Sequence, residues 1–178
     1  LLASLDRDIA LIAVPDRGTV GEPIRTGRAE ALSRLVRFQR IMIGEEHPAQ
    51  VRTLTTQMRA AECEGLSALK AAAAIEASRV LSTRFGANDP SLLVCLQEAA
   101  VTLSITGDPE SAIPFARKAC EIRDEVPKWA RDALLDADSR RYLALCLTLA
   151  GRHDEALPVW TEALDELQGV VGREHHAV

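Results

Sequence analysis

Cysteine side chains could form a disulfide, and cysteine or histidine side chains could hold a metal ion. The sequence has 178 residues, among them four cysteines and four histidines. No cysteine forms a C-x-x-C pair or has a histidine at ligand spacing, and all four fall within apolar helical patterns: Cys63, Cys95, Cys120 and Cys146. The pattern predicts small buried thiols in a reducing compartment, with a disulfide or a metal role as the alternative.

Two adjacent histidines, His175 and His176, follow Glu174 and are a second candidate for metal chemistry. His175 has the same place in "GREHH" as His47 in "GEEHP", so we expect these histidines to serve a turn or the start of a helix, with a metal site as the alternative. Acidic residues are too frequent to mark a site. The sequence has no Gly-rich phosphate loop and no H-E-x-x-H motif. It therefore predicts no enzymatic activity, no cofactor and no metal.

The composition predicts helices and disfavours nucleic acid and membranes as partners. Hydrophobic residues make up 47% of the chain and aromatic residues only 3%, which suits closely packed Ala- and Leu-rich helices better than a sheet. The net charge of −5 disfavours binding to phosphate backbones. The longest apolar run, Ile9–Val14, is too short to cross a bilayer, and no signal peptide is visible. We therefore expect a cytoplasmic protein.

The sequence repeats itself with a period of 42 to 44 residues. Gly107 follows Gly65 by 42 residues and precedes Gly151 by 44. A set of alanines has the same two spacings: Ala77, Ala119 and Ala163. The segment "GEEHP" returns as "GANDP" 42 residues later and as "GREHH" 86 residues later. Two sets of markers with one period indicate an array of structural repeats.

The sequence pattern of each repeat predicts two antiparallel helices joined by a tight turn. A glycine after the first helix supplies positive φ, and Pro114 and Pro158 each lie one turn into a second helix, where the missing N–H costs little. The predicted first helices are residues 49–64, 91–106 and 131–150, and the predicted second helices are 27–44, 67–84, 109–123 and 153–168. We expect an N-terminal helix (1–14) and an irregular connection within residues 1–26, and a repeat array over 27–178. Its parts are a partial repeat (27–44) and repeats at about 49–86, 91–127 and 131–172.

The last repeat has a characteristic order of large, small, aromatic and glycine residues: Leu143, Ala144, Leu147, Gly151, Ala156, Trp160, Ala163 and Leu164. It also has "EA-x-P" at Glu155–Pro158, and an earlier turn has "G-x-x-H-P" at Gly44–Pro48. In these features the chain resembles tetratricopeptide (TPR) repeat proteins of the kinesin light chain-like variety. The resemblance implies an all-α fold, a superhelical TPR-like α-solenoid of antiparallel helix pairs. In this register Leu147, Trp160 and Leu164 are expected to be buried together.

The first helices of stacked repeats line a concave face that binds extended or helical peptides. The side chains expected on this face are Arg52, Thr55, Arg59, Glu62, Cys63, Val94, Gln97, Val101, Ser104, Ile105, Asp138, Arg141, Leu145, Thr148 and Leu149. The predicted peptide-binding residues among them are Arg52, Thr55, Arg59, Gln97, Val101, Arg141, Leu145 and Thr148. Their three arginines could hold the carboxylates of an acidic peptide through forked hydrogen bonds. The alternative is that they are ordinary solvated side chains, some paired with neighbouring carboxylates.

We therefore expect a non-catalytic scaffold that binds a protein or peptide, an acidic peptide among the candidates. Because the chain starts at Leu1 without a methionine, we expect it to be the TPR part of a larger bacterial signalling or regulatory protein. One alternative is a regulator whose solenoid changes shape when it binds a peptide or small effector; another is a self-assembly module that forms homo-oligomers through open ends. At the C-terminal end, a further repeat, a capping helix or a second copy is expected to cover partly exposed apolar residues: Val159, Leu167, Val170 and Val171.

Overall fold

The described part of the chain is built of helices. The computed structural model describes residues 27–127 and 133–171, with side chains for residues 27–127 and 138–168. Within these residues the chain forms seven α-helices, one short 3-10 helix and no strand, so the all-α expectation is confirmed. The helix expected at residues 1–14, the connection before residue 27 and the "GREHH" segment lie outside the described residues.

The first compact unit, Leu1–Phe85, contains three of the helices. They are α1 (Arg28–Ile43), α2 (Ala49–Cys63) and α3 (Ser67–Phe85). α2 packs against both α1 and α3. Small residues allow the close approach of α1 and α2, because Ala29 and Ala61 are fully buried at their contact together with Leu32.

The second compact unit, Gly86–Val178, contains two helix pairs. Its elements are a 3-10 helix (Pro90–Leu92), α4 (Leu93–Ile105), α5 (Pro109–Glu125), α6 (Ala133–Leu149) and α7 (His153–Val171). α4 packs on α5, α6 packs on α7, and α6 also packs on both α4 and α5. One buried cluster joins all four α-helices: Ala100, Ala112, Ile113, Ala116, Cys146, Leu147 and Ala156. α6 is therefore at the centre of the packing in this unit.

The turns within the helix pairs are closed in the same way three times. Gly65, Gly107 and Gly151 have φ of 70°, 95° and 75°, a region that glycine enters without steric cost. At each turn the following N–H donates to the carbonyl five residues earlier, at 2.8, 3.0 and 2.9 Å: Leu66 to Ala61, Asp108 to Leu103 and Arg152 to Leu147. This bond satisfies a carbonyl that the helix end leaves unpaired. The predicted glycine turns are confirmed, and the described helix ends agree with the prediction to within three residues.

The second helices also keep their predicted landmarks. Pro114 lies inside α5 and Pro158 inside α7. At the start of α5 the Oδ1 of Asp108 accepts the N–H of Ser111 at 3.2 Å, which satisfies one of the free donors of the first turn. The alanine markers are buried in all three repeats, with exposed fractions of 0%, 0% and 1%: Ala77, Ala119 and Ala163. The period read from the sequence is therefore a period of packing.

The expected joint burial of Leu147, Trp160 and Leu164 is wrong for two of the three. Leu147 is 2% exposed, but Trp160 is 38% exposed and Leu164 is 42% exposed. The indole N–H of Trp160 donates to Thr148 Oγ1 at 3.0 Å, so its ring lies at the edge of α6. No helix follows α7 in the described residues, and this side of α7 stays open to solvent.

The partial exposure expected at the C-terminal end is observed where side chains are described, and the element that covers this end stays a prediction. Val159 and Leu167 are half-buried, as expected for residues that are partly uncovered. The side chains of Val170 and Val171 lie outside the described residues. Leu157, also on α7, is 69% exposed.

Candidate functional site

Exposed apolar side chains on α4 and α6 form the candidate binding surface of the second unit. α4 packs directly on α6, and each helix carries apolar residues at helical spacing on one side. We call these residues the α4–α6 face: Val94, Val101, Ile105, Leu145 and Leu149. Val94, Ile105 and Leu149 are 49%, 66% and 49% exposed, and the other two are half-buried. The face is therefore a row of apolar groups open to solvent.

Two buried polar contacts hold α4 and α6 together beside this face. The Nε2 of Gln97 donates to Ser139 Oγ at 2.8 Å, and the Oγ of Ser104 donates to Cys146 Sγ at 3.0 Å. The Cys146 thiol in turn lies 3.9 Å from the carbonyl oxygen of Ala100. A buried polar group that loses its partner costs about 1–3 kcal/mol. These contacts therefore fix the position of one helix along the other.

The same burial corrects part of the predicted groove. Gln97 is 5% exposed and Ser104 is 4% exposed, so the expectation that they face a groove is wrong. Both positions lie at the edge of the exposed side of α4, where contact with α6 covers them. The other predicted residues of this unit stay accessible: Val101, Leu145 and Thr148 are half-buried and Arg141 is exposed.

An ion pair occupies the polar end of the α4–α6 face. The Nε and Nη2 of Arg141 both donate to Asp138 Oδ1, at 2.9 and 2.6 Å. The guanidinium carbon of Arg141 also lies 4.7 Å from the centre of the Tyr142 ring. Arg141 thus already has a carboxylate within the chain, as the alternative reading of the arginines expects.

The predicted residues of the first unit lie on one exposed side of α2. Arg52, Thr55 and Arg59 are all exposed, and Glu62 and Cys63 continue this side at the end of the helix. Arg52 and Arg59 are two turns apart, about 10 Å along the helix axis. This side is polar and carries two basic groups, unlike the apolar face of the second unit.

A second exposed apolar surface, on α1, is not among the predicted sites. Ile41 is 82% exposed, Met42 is 64% exposed and Phe38 is 39% exposed. The sequence does mark this surface, because Ile41 departs from the repeat: the equivalent residues are Thr83 in α3 and Glu125 in α5. Ile41 is thus apolar where these two helices have a polar residue, and this difference can be read from the sequence alone.

The four cysteines are all free thiols in different surroundings. Cys95 and Cys146 are buried and Cys120 is half-buried, but Cys63 is exposed, so the expectation of a buried thiol is wrong there. Cys63 is the last residue of α2, where the packed side of the helix ends. Burial raises the pKa of Cys95 to about 11 and that of Cys120 to about 12, and it also raises the pKa of Cys146. Thiols with such pKa values carry little thiolate near neutral pH.

We expect one fast thiol per chain when the native protein meets a disulfide reagent such as dithionitrobenzoate. Near pH ~8 Cys63 reacts fast, while the other three react at the rate of unfolding because they are covered and protonated. Absorbance of the released thiolate measures this, and denaturant should expose all four cysteines. Cys63→Ser should remove the fast phase; two or more fast thiols in the native chain would contradict the burial.

His47 serves the start of a helix, as predicted. Its Nδ1 accepts the N–H of Ala49 at 3.2 Å, at the first residue of α2. His175 and His176 lie outside the described residues. Across residues 27–127 and 133–171, no three His, Cys, Asp or Glu side chains are grouped so that they could hold a metal ion.

None of the described helices combines the length and the apolar character that a membrane crossing requires.

Two solved structures share the architecture of the chain. A candidate kinesin light chain of Podosopora anserina with nearly identical TPR-like repeats matches with a TM-score of 0.66 and 15% identity, over 99% of this chain and 79% of that chain. A single-substitution variant of that protein matches with a TM-score of 0.68 at the same identity and coverage. No family sequence profile and no curated protein matches the chain. The expected architecture is confirmed: the chain has the fold of TPR-like repeats seen in kinesin light chain-like proteins.

Proposed function

We propose that the chain is a non-catalytic scaffold that binds a protein or peptide through the α4–α6 face. The observation that carries this proposal is the pairing of apolar residues at equivalent positions of neighbouring helices. Val101 on α4 corresponds to Leu145 on α6, and Ile105 corresponds to Leu149, 44 residues apart in each case. Exposed apolar rows of this kind mark contact sites in proteins.

The spacing within the row favours an extended segment of the partner. Val101 and Ile105 are one helical turn apart, about 6 Å along the axis. Alternate residues of an extended peptide are about 7 Å apart and point the same way. A peptide with apolar side chains at alternate positions therefore matches the row, and its intervening residues stay in water.

The exposed side of α2 supports an acidic character for a segment bound to the first unit. Arg52 and Arg59 are about 10 Å apart along the axis, between the ~7 Å and ~13 Å that separate residue i of an extended peptide from residues i+2 and i+4, whose side chains point the same way. Two carboxylates at either spacing can each accept hydrogen bonds from one of the long, flexible guanidinium side chains. Thr55 lies between them as a further polar contact. Arg141, the third predicted arginine, lies in the second unit and donates to Asp138.

We also propose a setting, in which residues 27–178 are the repeat array of a larger bacterial signalling or regulatory protein and residues 1–26 precede it. The resemblance of the last repeat to the kinesin light chain-like variety supports this setting. The full reading frame tests it, and a frame without further domains or repeats would count against it.

Peptide selection tests the apolar face directly. A library of random peptides displayed on phage is selected against the whole chain, and we expect enrichment of alternating apolar residues. Ile105→Asp should weaken a selected peptide by about tenfold or more, because the new carboxylate would be buried without a partner. Fluorescence polarisation of the labelled peptide measures the change.

Leu157→Asp is the matched control for Ile105→Asp. Leu157 is 69% exposed and Ile105 is 66% exposed, but Leu157 lies on α7 and is not a residue of the α4–α6 face. Selected peptides that bind Ile105→Asp as tightly as the unaltered chain would overturn the role of the face, and so would selection without enrichment. Selection against Arg52→Glu with Arg59→Glu tests the acidic segment, since carboxylates should then disappear from the enriched peptides.

A further inference from the structure

The exposed side of α7 carries an apolar stripe with an acidic edge. Leu157, Trp160 and Leu164 recur at helical spacing and are 69%, 38% and 42% exposed. We call these three residues the α7 stripe. Asp154 and Asp165 are exposed along one edge of the stripe, at residues that fall on the same side of the helix. The surface thus combines apolar area with negative charge.

The equivalent stripe on α5 is covered, which indicates what the α7 stripe is suited to bind. The residues 44 positions earlier are Ile113, Ala116 and Cys120. Ile113 and Ala116 are 4% and 1% exposed and belong to one buried cluster with residues of α6. In α5 this side of the helix therefore packs against another helix. The same side of α7 has the apolar groups for such a contact.

α1 carries the second unpartnered stripe, and its charge is opposite. Phe38, Ile41 and Met42 are 39%, 82% and 64% exposed and form the α1 stripe. Arg34 and Arg37 are exposed at its edge, on the same side of α1. Packed residues of α1 such as Ala29 and Leu32 lie on the opposite side, against α2. The α1 stripe is therefore apolar with a basic edge.

We propose that the α1 stripe of one copy docks on the α7 stripe of a second copy of this chain. Both stripes are apolar and helical, so each can cover the other as α6 covers α5. Their charges select the pairing, because Arg37 of one copy meets the aspartates of the other. Pairing of two α7 stripes would bring Asp154 and Asp165 against the same groups, and like charges across a contact disfavour it. Pairing of two α1 stripes would do the same with arginines.

This contact joins unlike surfaces, which limits the forms that the assembly can take. Each copy has one stripe of each kind, so two copies can join through one contact or through two reciprocal contacts. Head-to-tail contacts of this type form closed rings, of which a twofold pair is the smallest, or open chains. A contact made by one helix from each copy is small, so the association is weak and reversible. Its charged edge makes the association weaker at high salt, since the screening length falls from about 30 Å at ~0.01 M to about 3 Å at ~1 M.

Sedimentation of the whole chain over a wide range of concentration tests the proposal. We expect the average mass to rise with concentration above that of a single chain, and to rise less at high salt. Leu157→Ser and Ile41→Ser should each weaken the association by about tenfold or more, because each removes an exposed apolar group from the contact. Ile105→Ser is the matched control, since Ile105 is 66% exposed but lies on neither stripe. Ile105→Ser should associate like the unaltered chain.

A charge exchange tests the pairing of the two stripes. Variant one carries Asp154→Lys with Asp165→Lys, and variant two carries Arg37→Glu. Each alone should associate less than the unaltered chain, and an equimolar mixture should recover association because both contacts between unlike variants are again complementary. A chain that stays monomeric at every concentration would overturn the proposal. So would association that survives Leu157→Ser and Ile41→Ser, or a mixture that associates no better than its parts. Circular dichroism melting of each variant confirms that it is folded.

Discussion

Replacing Leu147 by alanine is expected to lower the free energy of unfolding by about 2–5 kcal/mol, the cost of a large-to-small change in a core. Leu147 is 2% exposed on α6, the helix that packs on all three other α-helices of its unit. Its side chain belongs to the one buried cluster that joins them, together with Ala116, Cys146 and Ala156. The substitution removes three carbons from this cluster and leaves a cavity, since the alanines around it are already small. Urea unfolding followed by far-ultraviolet circular dichroism measures the change.

Leu149→Ala is the control for Leu147→Ala, because it makes the same chemical change two residues later on the same helix. Leu149 is 49% exposed, so its truncation removes little buried area and should cost within about 0.5 kcal/mol of zero. A loss under about 0.5 kcal/mol for Leu147→Ala, or equal losses for the two variants, would contradict the packing described for α6.

Replacing Glu166 by glutamine is expected to lower the free energy of unfolding by about 2–3 kcal/mol, somewhat less than the ~3–5 for breaking a fully buried ion pair. The Oε1 of Glu166 on α7 accepts hydrogen bonds from both Arg123 on α5 and Arg140 on α6. The side chain of Arg123 is only 4% exposed, whereas that of Glu166 is 31% exposed. Glutamine keeps the size of the side chain and removes the charge, so two guanidinium groups lose their shared counter-charge.

Glu155→Gln is the matched control for Glu166→Gln. Glu155 pairs with Arg117 at 2.8 Å and with Arg152 at 2.6 Å, so it also holds two arginines, but its side chain is 47% exposed. Exposed pairs contribute about 0–1 kcal/mol each, because water and salt screen them. The same urea experiment should therefore give a small loss for Glu155→Gln. A loss as large as that of Glu166→Gln would mean that burial of Arg123 does not govern the effect.

Local backbone requirements explain why the helices and turns could be predicted. The turn glycines are needed for positive φ, and the turn around each is closed by a hydrogen bond between residues five apart. Such features depend on neighbours in the sequence. The alanines of the second helices are also predictable, because a small residue at a fixed place in each repeat serves the same helix contact. The period of the sequence is therefore enough to predict the helices, their turns and the repeated packing of helix pairs.

The groove residues could be predicted only in part, because their exposure depends on partners in another helix. Gln97 and Ser104 lie at the edge of the exposed side of α4, where a polar residue would ordinarily stay in water. Their burial follows from Ser139 and Cys146 on α6, each 42 residues away, while the repeat there has a period of 44. The contacts thus join positions that are not equivalent in the repeat. No period in the sequence points to them.

The exposure of Trp160 shows a second limit of the sequence pattern. A large aromatic residue at that place in the repeat predicts a core position, and Ala116 at the equivalent place of α5 is 1% exposed. The difference lies in what packs on each helix: α6 packs on α5, and no described helix follows α7. The burial of a residue at this place in the repeat therefore depends on whether a following helix packs on it.

The buried contacts between α4 and α6 limit how this unit can move. The Gln97–Ser139 and Ser104–Cys146 contacts prevent α4 and α6 from sliding along each other, because any such movement breaks both contacts. A displacement of α6 along α4 leaves these polar groups unpaired, at a cost of about 1–3 kcal/mol each. Neither helix offers them new partners at a displaced position. Gradual bending between α4 and α6 is therefore a poor means of sensing an effector. The α4–α6 face is therefore a rigid, preformed surface. Its apolar side chains, from Val94 to Ile105, keep the same spacing whether or not a ligand is bound.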